Sequence, residues 1–396
     1  MGLIRRLILP AIAALVVAAG FVFWLAGRAP PPLATDGASA IEIVPLKSLW
    51  PLQSRFMLWS VGLKSLPVAN TVDCYRIVYP STDANGKPIR LSGMLALPHG
   101  VAPRGLISFQ HGTTSNRDEV PSNLSVDGLA TAIVFGGNGY AAIAPDYAGL
   151  GVSKGPHPYY VVADTARAVV DMIQAVRHIQ GVPASPPFLM GFSEGGFATL
   201  AAQRELEAHG EPVLASAPVS GAFNLRRIAI PWTLQGKSPN ASTYLALWVR
   251  GYATRYGHPL DSAFTPRYAR LVPELFDTPR DDADVVKALP RDPRALFRRE
   301  VLDAIAGKGP HWLVDALGAN EMGDWRARAP VRLYYGTADV DVPPAESLTT
   351  ARLMTARGSH ATAVNVGTVD HEGTILASAP LILAWLETLS PARSPP

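Results

Sequence analysis

Short apolar segments alternate with segments of helical periodicity along most of this chain. We predict strands at Val72 to Tyr79, Ile89 to Leu97, Gly105 to Gln110, Tyr140 to Ala144, Phe188 to Phe192, Val213 to Val219, Val331 to Tyr335 and Thr362 to Val366. We predict helices at about Val161 to His178, Glu194 to Glu207, Ala345 to Arg357 and Gly373 to Leu389. Strands that alternate with helices indicate the α/β class, with a mostly parallel sheet covered by helices on both faces.

Two departures from this alternation shape the domain prediction. Asn85-Gly86 lies between the first two strands and marks a turn, so we expect an antiparallel hairpin at the edge of the sheet. After Ser220 the strands stop, and the chain becomes rich in tryptophan, proline and helical segments. We therefore predict a core of residues 33–221 and 330–396, interrupted by a mainly helical cap at residues 222–329.

The N-terminus carries an uncharged run from Leu7 to Gly27, preceded by Arg5 and Arg6. About 20 apolar residues cross a bilayer as a helix, and flanking positive charge keeps that end in the cytoplasm. We predict that residues 1–32 form an uncleaved membrane anchor followed by a proline-rich linker; a cleaved signal peptide is the alternative. Either way the rest of the chain lies outside the cytoplasm, anchored and facing the periplasm or the cell exterior, or secreted.

Composition excludes several classes of function. Charged residues make up 17% of the 396 residues and the net charge is +3, with no concentrated basic stripe, so we predict no nucleic-acid partner. The single cysteine, Cys74, excludes an intramolecular disulfide and is predicted to be buried and structural. No motif for a metal, a nucleotide or another cofactor is present, so none is expected. The oligomeric state is left open.

The strongest chemical signal is Gly191-Phe192-Ser193-Glu194-Gly195, which lies between a predicted strand and a predicted helix. A sharp strand-to-helix turn exposes the serine hydroxyl, and glycines are needed because side chains there would clash. We predict that Ser193 is a catalytic nucleophile.

A serine nucleophile needs a base and an acid that orients the base, and in this strand–helix arrangement the chain order is serine, acid, histidine. His371 follows the last predicted strand and is the predicted base. Asp339 follows Val331 to Tyr335 on the turn and is the predicted acid; Asp341 is the alternative.

Backbone N–H groups should stabilise the charge that develops on the substrate oxygen. One donor is predicted at Glu194, directly after the nucleophile, and the other at Thr113, with Gly112 as the fallback. We interpret the loop that begins at Pro145 as one in which Asp146 caps backbone amides; a role in lining the pocket is the alternative.

These motifs together resemble the α/β-hydrolase superfamily, and more narrowly the secretory-type lipases and esterases. The resemblance covers roughly Val72 to Leu389 and is carried by Gly191 to Gly196, Gln110 to Thr113, Pro145 to Tyr147, Gly336 to Asp339 and His371. It implies that the inserted segment forms a lid over an acyl pocket, and that the protein cleaves carboxylic esters or lipids through an acyl-enzyme.

The same motifs are compatible with two other functions. A serine peptidase or an acyltransferase would use the same three residues. A non-catalytic interaction protein on the same scaffold is least favoured, because such proteins usually lose one of the three.

Overall fold

The structure, a computed structural model, describes residues 28–37 and 40–389. The strands are β1 (Glu42–Leu49), β2 (Val72–Thr82), β3 (Pro88–Pro98), β4 (Leu106–Gln110), β5 (Ala141–Pro145), β6 (Phe188–Phe192), β7 (Ala215–Val219), β8 (Val331–Tyr335) and β9 (Ala361–Asn365). They form one nine-stranded sheet in the order β1-β2-β3-β5-β4-β6-β7-β8-β9. The pairs β1–β2, β2–β3 and β3–β5 are antiparallel. All other neighbouring strands in the sheet are parallel.

Helices follow or connect these strands. They are α1 (Pro51–Ser60), α2 (Val126–Phe135), α3 (Val162–Val176), α4 (Glu194–Ala208), α5 (Ile230–Thr233), α6 (Ala241–Tyr256), α7 (Pro266–Phe276), α8 (Asp282–Ala288), α9 (Arg299–Ile305), α10 (Trp312–Ala319), α11 (Pro344–Ala356) and α12 (His371–Leu389). The predicted α/β class, with a mostly parallel sheet and a helical insertion, is confirmed. The predicted hairpin of β2 and β3 is present, but its place at the sheet edge is wrong, because β1 pairs along the outside of β2.

Apolar side chains bury both faces of the sheet. On one face α1, α2 and α12 pack over the strands, and on the other face α3, α4 and α11 do so. Side chains alternate between the faces: in β8, Leu333 packs on the α4 and α11 side, while its neighbour Tyr334 packs with α12. The central strands β4, β5, β6 and β7 are buried along their whole length, which is why each is a short apolar run.

The segment between β7 and β8 contains α5 to α10, and its two ends are tied to the core. At its start, Glu346 on α11 accepts hydrogen bonds from the backbone N–H groups of Phe223 (3.0 Å) and Asn224 (2.9 Å). Near its end, the Asn320 side chain accepts a hydrogen bond from Val162 N–H at the start of α3, at 2.9 Å. Burial raises the pKa of Glu346 to about 7, because it outweighs the hydrogen bonds that favour the charged form.

The predicted membrane anchor, residues 7–27, lies outside the described residues. Within residues 28–37 and 40–389, no helix has the length and apolar character needed to cross a membrane. The proline-rich segment that follows the predicted anchor lies against the core: Ser48 N–H donates to Arg28 O (2.7 Å), the Tyr75 hydroxyl to Pro31 O (2.9 Å), and Gln180 N–H to Ala34 O (2.9 Å).

Candidate active site

Ser193 occupies a strained turn at the carboxyl end of β6. Its backbone has φ 58° and ψ −118°, a conformation that non-glycine residues rarely adopt. A Cβ atom on Gly191 would lie 2.2 Å from the Gly195 carbonyl oxygen, and one on Gly195 would lie 1.8 Å from the Gln110 carbonyl oxygen. Both positions therefore require glycine, and the turn places the Ser193 hydroxyl at the start of α4.

The structure brings the three predicted catalytic side chains into one hydrogen-bonded chain. His371 Nε2 lies 2.9 Å from Ser193 Oγ, and His371 Nδ1 lies 2.8 Å from Asp339 Oδ2. All three residues are buried, and the Phe192 ring packs against the imidazole with 4.6 Å between ring centroids. The imidazole is thus held between the hydroxyl and the carboxylate.

Asp339, and not Asp341, contacts the histidine. The second oxygen of Asp339 accepts hydrogen bonds from the backbone N–H groups of Asp341 and Val342, both at 2.9 Å, which fixes the plane of the carboxylate. Asp341 instead points to the inserted segment, where its Oδ1 accepts hydrogen bonds from the hydroxyls of Ser238 (2.7 Å) and Tyr244 (2.9 Å). Asp341 therefore links the turn that carries Asp339 to the cap.

The surroundings of His371 alter its proton affinity. Burial alone would lower the pKa of His371, but the hydrogen bond and the negative charge of Asp339 raise this pKa above its ordinary value. The charges of Asp341 and Glu372 act in the same direction. The site therefore stabilises an imidazolium, which is the form that a general base reaches after it has taken a proton.

Thr113, the predicted second donor, lines the same cleft as Ser193, and Glu194 directly follows Ser193 in the chain. Within the part of the chain that the structure describes, no hydrogen bond occupies the N–H group of Thr113 or of Glu194. The N–H of Gly112, the fallback, donates to Asp127 Oδ2 at 3.1 Å. This contact makes Gly112 the weaker candidate, because its donor already has a partner.

Side chains from one segment, His157 to Tyr159, hold both candidate donor residues. His157 Nε2 lies 2.6 Å from Glu194 Oε1, and both side chains are buried. The Tyr159 hydroxyl lies 2.8 Å from Thr113 Oγ1. Burial alone would lower the pKa of His157, but the charge and the hydrogen bond of Glu194 raise this pKa above its ordinary value. The two side chains are therefore favoured as a buried ion pair next to the candidate donor residues.

The sequence analysis did not predict the contacts of His157 with Glu194 and of Tyr159 with Thr113. His157 follows the glycine-rich loop after β5, but nothing in the sequence pairs it with Glu194, 37 residues away. Asp146, interpreted from the sequence as a cap for backbone amides, does accept a hydrogen bond from Ser122 N–H at 2.9 Å and is buried.

The cleft at Ser193 is small and acidic. It has a volume of about 220 Å³. Its titratable lining residues are His111, Glu119, Asp127, Asp282, His371, Glu372 and Tyr244, with no lysine or arginine among the described lining residues. On the cap side, Tyr244, Trp248 and Tyr160 surround a second cavity of about 20 Å³ that also reaches Ser193.

Asp339, Asp341 and His371 are residue types that can bind a metal ion, and they lie close together in the site. Ligand-type atoms of Asp339, Asp341 and His371 lie within 4.8 Å of one another. The hydrogen bonds to Ser193, to backbone N–H groups and to the cap hydroxyls occupy these atoms, so they account for the cluster.

Solved structures share this architecture. A protein of Legionella pneumophila subsp. pneumophila, described only as a candidate hydrolase, is 26% identical with a TM-score of 0.82, over 88% of this chain and 97% of that one. LipA, a rice cell wall degrading esterase from Xanthomonas oryzae, is 23% identical with a TM-score of 0.77, over 91% and 99% of the two chains. Candida antarctica lipase A in its closed state is 14% identical with a TM-score of 0.64, over 82% and 80%. The two esterase and lipase structures show a common fold.

Sequence comparison identifies the family. No curated protein matches the sequence. The family model described as serine aminopeptidase, S33, matches residues 126–371, which is more than half of the chain and includes Ser193, Asp339 and His371. With the sheet, the strained serine turn and the order of these residues, this match shows that the chain is an α/β-hydrolase of the serine aminopeptidase S33 family.

Proposed function

We propose that this protein is a serine carboxylesterase of the lipase and esterase type, with Ser193 as nucleophile, His371 as base and Asp339 as the orienting acid. The observation that carries the proposal is the hydrogen-bonded chain from Ser193 Oγ through His371 to Asp339, with links of 2.9 and 2.8 Å. Both distances lie in the range that proton transfer requires.

The mechanism is a two-step acyl transfer. His371 Nε2 takes the Ser193 proton as the oxygen attacks the ester carbonyl, and Asp339 stabilises the imidazolium that forms. The N–H groups of Thr113 and Glu194 donate to the developing oxyanion; removal of one such donor typically costs about 10²–10³ in rate. His371 then protonates the leaving alcohol and activates the water that releases the acid.

The test is turnover of p-nitrophenyl esters of increasing acyl length by the full chain in detergent, compared with Ser193→Ala. Because the cavities at Ser193 are small, we expect turnover to favour short acyl chains and Ser193→Ala to lose it without unfolding. Undiminished turnover in Ser193→Ala would refute the nucleophile.

A second candidate is a serine peptidase that acts on substrates with a free amine, and the acidic cleft favours it. Glu119, Asp127, Asp282 and Glu372 line the cleft, and such a surface attracts cations and repels carboxylates. Aminoacyl p-nitroanilides separate the two functions. Amide turnover that exceeds ester turnover at equal substrate concentration would favour the peptidase.

We further propose that Leu7 to Gly27 anchors the chain in a membrane, with the hydrolase outside the cytoplasm. The support is the length of the uncharged run and the position of Arg5 and Arg6 before it. Extraction of membranes with alkaline carbonate tests the anchor, because an integral protein stays in the pellet whereas a secreted form does not.

A further inference from the structure

Two cavities of unequal size meet at Ser193. The cleft of about 220 Å³ is lined by Ser193 and His371, whereas the closed cavity of about 20 Å³ is lined by Ser193 and not by His371. Most other residues around the closed cavity are aromatic or apolar: Tyr159, Tyr160, Ala222, Ala229, Trp248, Val342 and Pro343. An ester that binds at Ser193 therefore finds two different spaces for its two halves.

The position of His371 decides which half occupies which space. In the proposed mechanism His371 protonates the leaving alcohol, so the alcohol oxygen must lie within hydrogen-bond reach of the imidazole. Since the imidazole lines the larger cleft, the alcohol half lies in that cleft. The acyl half is then directed into the closed cavity, and a space of about 20 Å³ has room for about one water-sized group.

Tyr244 forms the wall between the two spaces. Within the part of the chain that the structure describes, Ser193 and Tyr244 alone line both cavities. Tyr244 lies in the first turn of α6, and its hydroxyl donates to Asp341 Oδ1 at 2.9 Å. The backbone N–H of Asp341 donates in turn to Asp339 Oδ1 at 2.9 Å. The Tyr244 ring is therefore fixed relative to the catalytic acid.

The other aromatic walls of the closed cavity are packed against one another. The Trp248 ring lies 4.9 Å from the Tyr160 ring and 5.3 Å from the Tyr159 ring, measured between centroids. Tyr160 also packs on Phe197 at 4.7 Å, and all four of these side chains are buried. Tyr244, by contrast, is only partly buried. Because closely packed interiors resist changes of shape, the side chain of Tyr244 is the wall that sets the length of the acyl group.

We propose that Tyr244 determines acyl specificity, and that the substrates are esters of a very short acid with a larger alcohol. This inference rests on the proposed esterase function and deepens it by naming the substrate class. The acyl half ends against Tyr244 in the closed cavity, and the alcohol half extends into the open cleft. Esters of long-chain acids are then poor substrates, whatever their alcohol.

Two series of esters test the two halves separately in the full chain. One series keeps p-nitrophenol and lengthens the acid from acetyl to octanoyl, and the other keeps acetyl and enlarges the alcohol from ethyl to naphthyl. In Tyr244→Ala the ratio of kcat/KM for octanoyl to that for acetyl should rise at least about tenfold, because a pocket discriminates by about that factor for each methylene group it cannot hold. The ranking of the alcohols should stay as in the wild type.

Two further variants separate the ring from other effects of the substitution. Tyr244→Phe keeps the ring and loses the hydroxyl, so it should keep the preference for acetyl even if its rate falls. Tyr256→Ala is the matched control at the other end of α6, where the Tyr256 hydroxyl accepts a hydrogen bond from the Asn320 side chain at 2.6 Å. Tyr256 lines neither cavity, so the acyl preference of this variant should equal that of the wild type.

The outcomes that would overturn the proposal are distinct. They are a wild-type acyl preference in folded Tyr244→Ala, a change in the ranking of alcohols in place of acids, or an equal shift in Tyr256→Ala. If circular dichroism shows that Tyr244→Ala is unfolded, Tyr244→Leu carries the same test. A wild type that hydrolyses no ester would refute the proposed function and this inference together, whereas an active wild type without a shift in Tyr244→Ala would refute this inference alone.

Discussion

Replacement of Asp339 by asparagine should reverse the tautomer of His371. Asp339 Oδ1 accepts two backbone N–H groups, from Asp341 and Val342, so the oxygen of the new amide is held at that position. The amide NH₂ group then faces His371 Nδ1, where Asp339 Oδ2 now lies at 2.8 Å. Since NH₂ only donates, Nδ1 becomes an acceptor and the ring proton moves to Nε2, where it blocks proton removal from Ser193.

A serine enzyme with the wrong histidine tautomer loses about 10⁴ in kcat, which corresponds to roughly 5 kcal/mol of transition-state stabilisation. KM should change little, because the Asp339 side chain is buried behind the imidazole. The assay is steady-state ester hydrolysis by Asp339→Asn, with circular dichroism to confirm that the variant is folded.

Asp341→Asn is the matched control. The oxygen of the new amide can still accept hydrogen bonds from the hydroxyls of Ser238 and Tyr244, and it is Asp339 that hydrogen-bonds His371. We expect activity within about tenfold of the wild type, or about 1.4 kcal/mol, because the substitution removes only a charge that acts on His371 more weakly than Asp339 does. A loss in Asp341→Asn equal to that in Asp339→Asn, or an Asp339→Asn enzyme within tenfold of the wild type, would refute the assignment of the acid.

Three further predictions follow from individual residues. Asp339 raises the pKa of His371 above its ordinary value of about 6.5, and His371 must be neutral to act as a base. The pH profile of kcat/KM should therefore fall on the acidic side with a midpoint above about 6.5, and a midpoint below that value would contradict this prediction. Gly195→Ala should lose soluble protein or at least about 10² in kcat, because its Cβ would lie 1.8 Å from the Gln110 carbonyl oxygen, whereas Gly309→Ala has open space and should be neutral. The pKa of the Glu346 carboxyl is about 4.5 in the unfolded chain and about 7 in the folded protein. The free energy of unfolding of the wild type should therefore fall by about 3 kcal/mol as the pH rises from below 4.5 to above 7. Glu346→Gln should lack that loss in urea unfolding at a series of pH values, and parallel curves for the two proteins would contradict it.

The centre of the fold could be predicted because its strands are buried on both faces. β6 is an apolar run that is buried along its whole length, and it begins and ends at the residues that the sequence predicts. The bounds of β8 are also as predicted, although Arg332 is exposed on it. β1 and α1 were not predicted. β1 is an edge strand with mixed exposure, and α1 has apolar residues on both its buried and its exposed side, so neither shows a clear periodicity.

In the candidate site, too, some residues could be predicted from the sequence and others could not. Ser193, Asp339 and His371 could be proposed because turn chemistry and chain order select them, and the structure brings them together. The contacts that hold their neighbours join positions far apart in the sequence, such as Glu194 with His157 and Asp341 with Tyr244. No local pattern encodes such pairs, because each joins segments that are distant in the sequence and meet only in the folded chain.

The most direct test of the central claim is the site of covalent labelling by a fluorophosphonate, which reacts with an activated serine. Mass spectrometry of the digested full chain should find one adduct, on Ser193, and labelling should be lost in His371→Ala and in Ser193→Ala. Ester turnover should disappear in the labelled wild type. An adduct on another residue, or turnover that persists after complete modification of Ser193, would contradict the account.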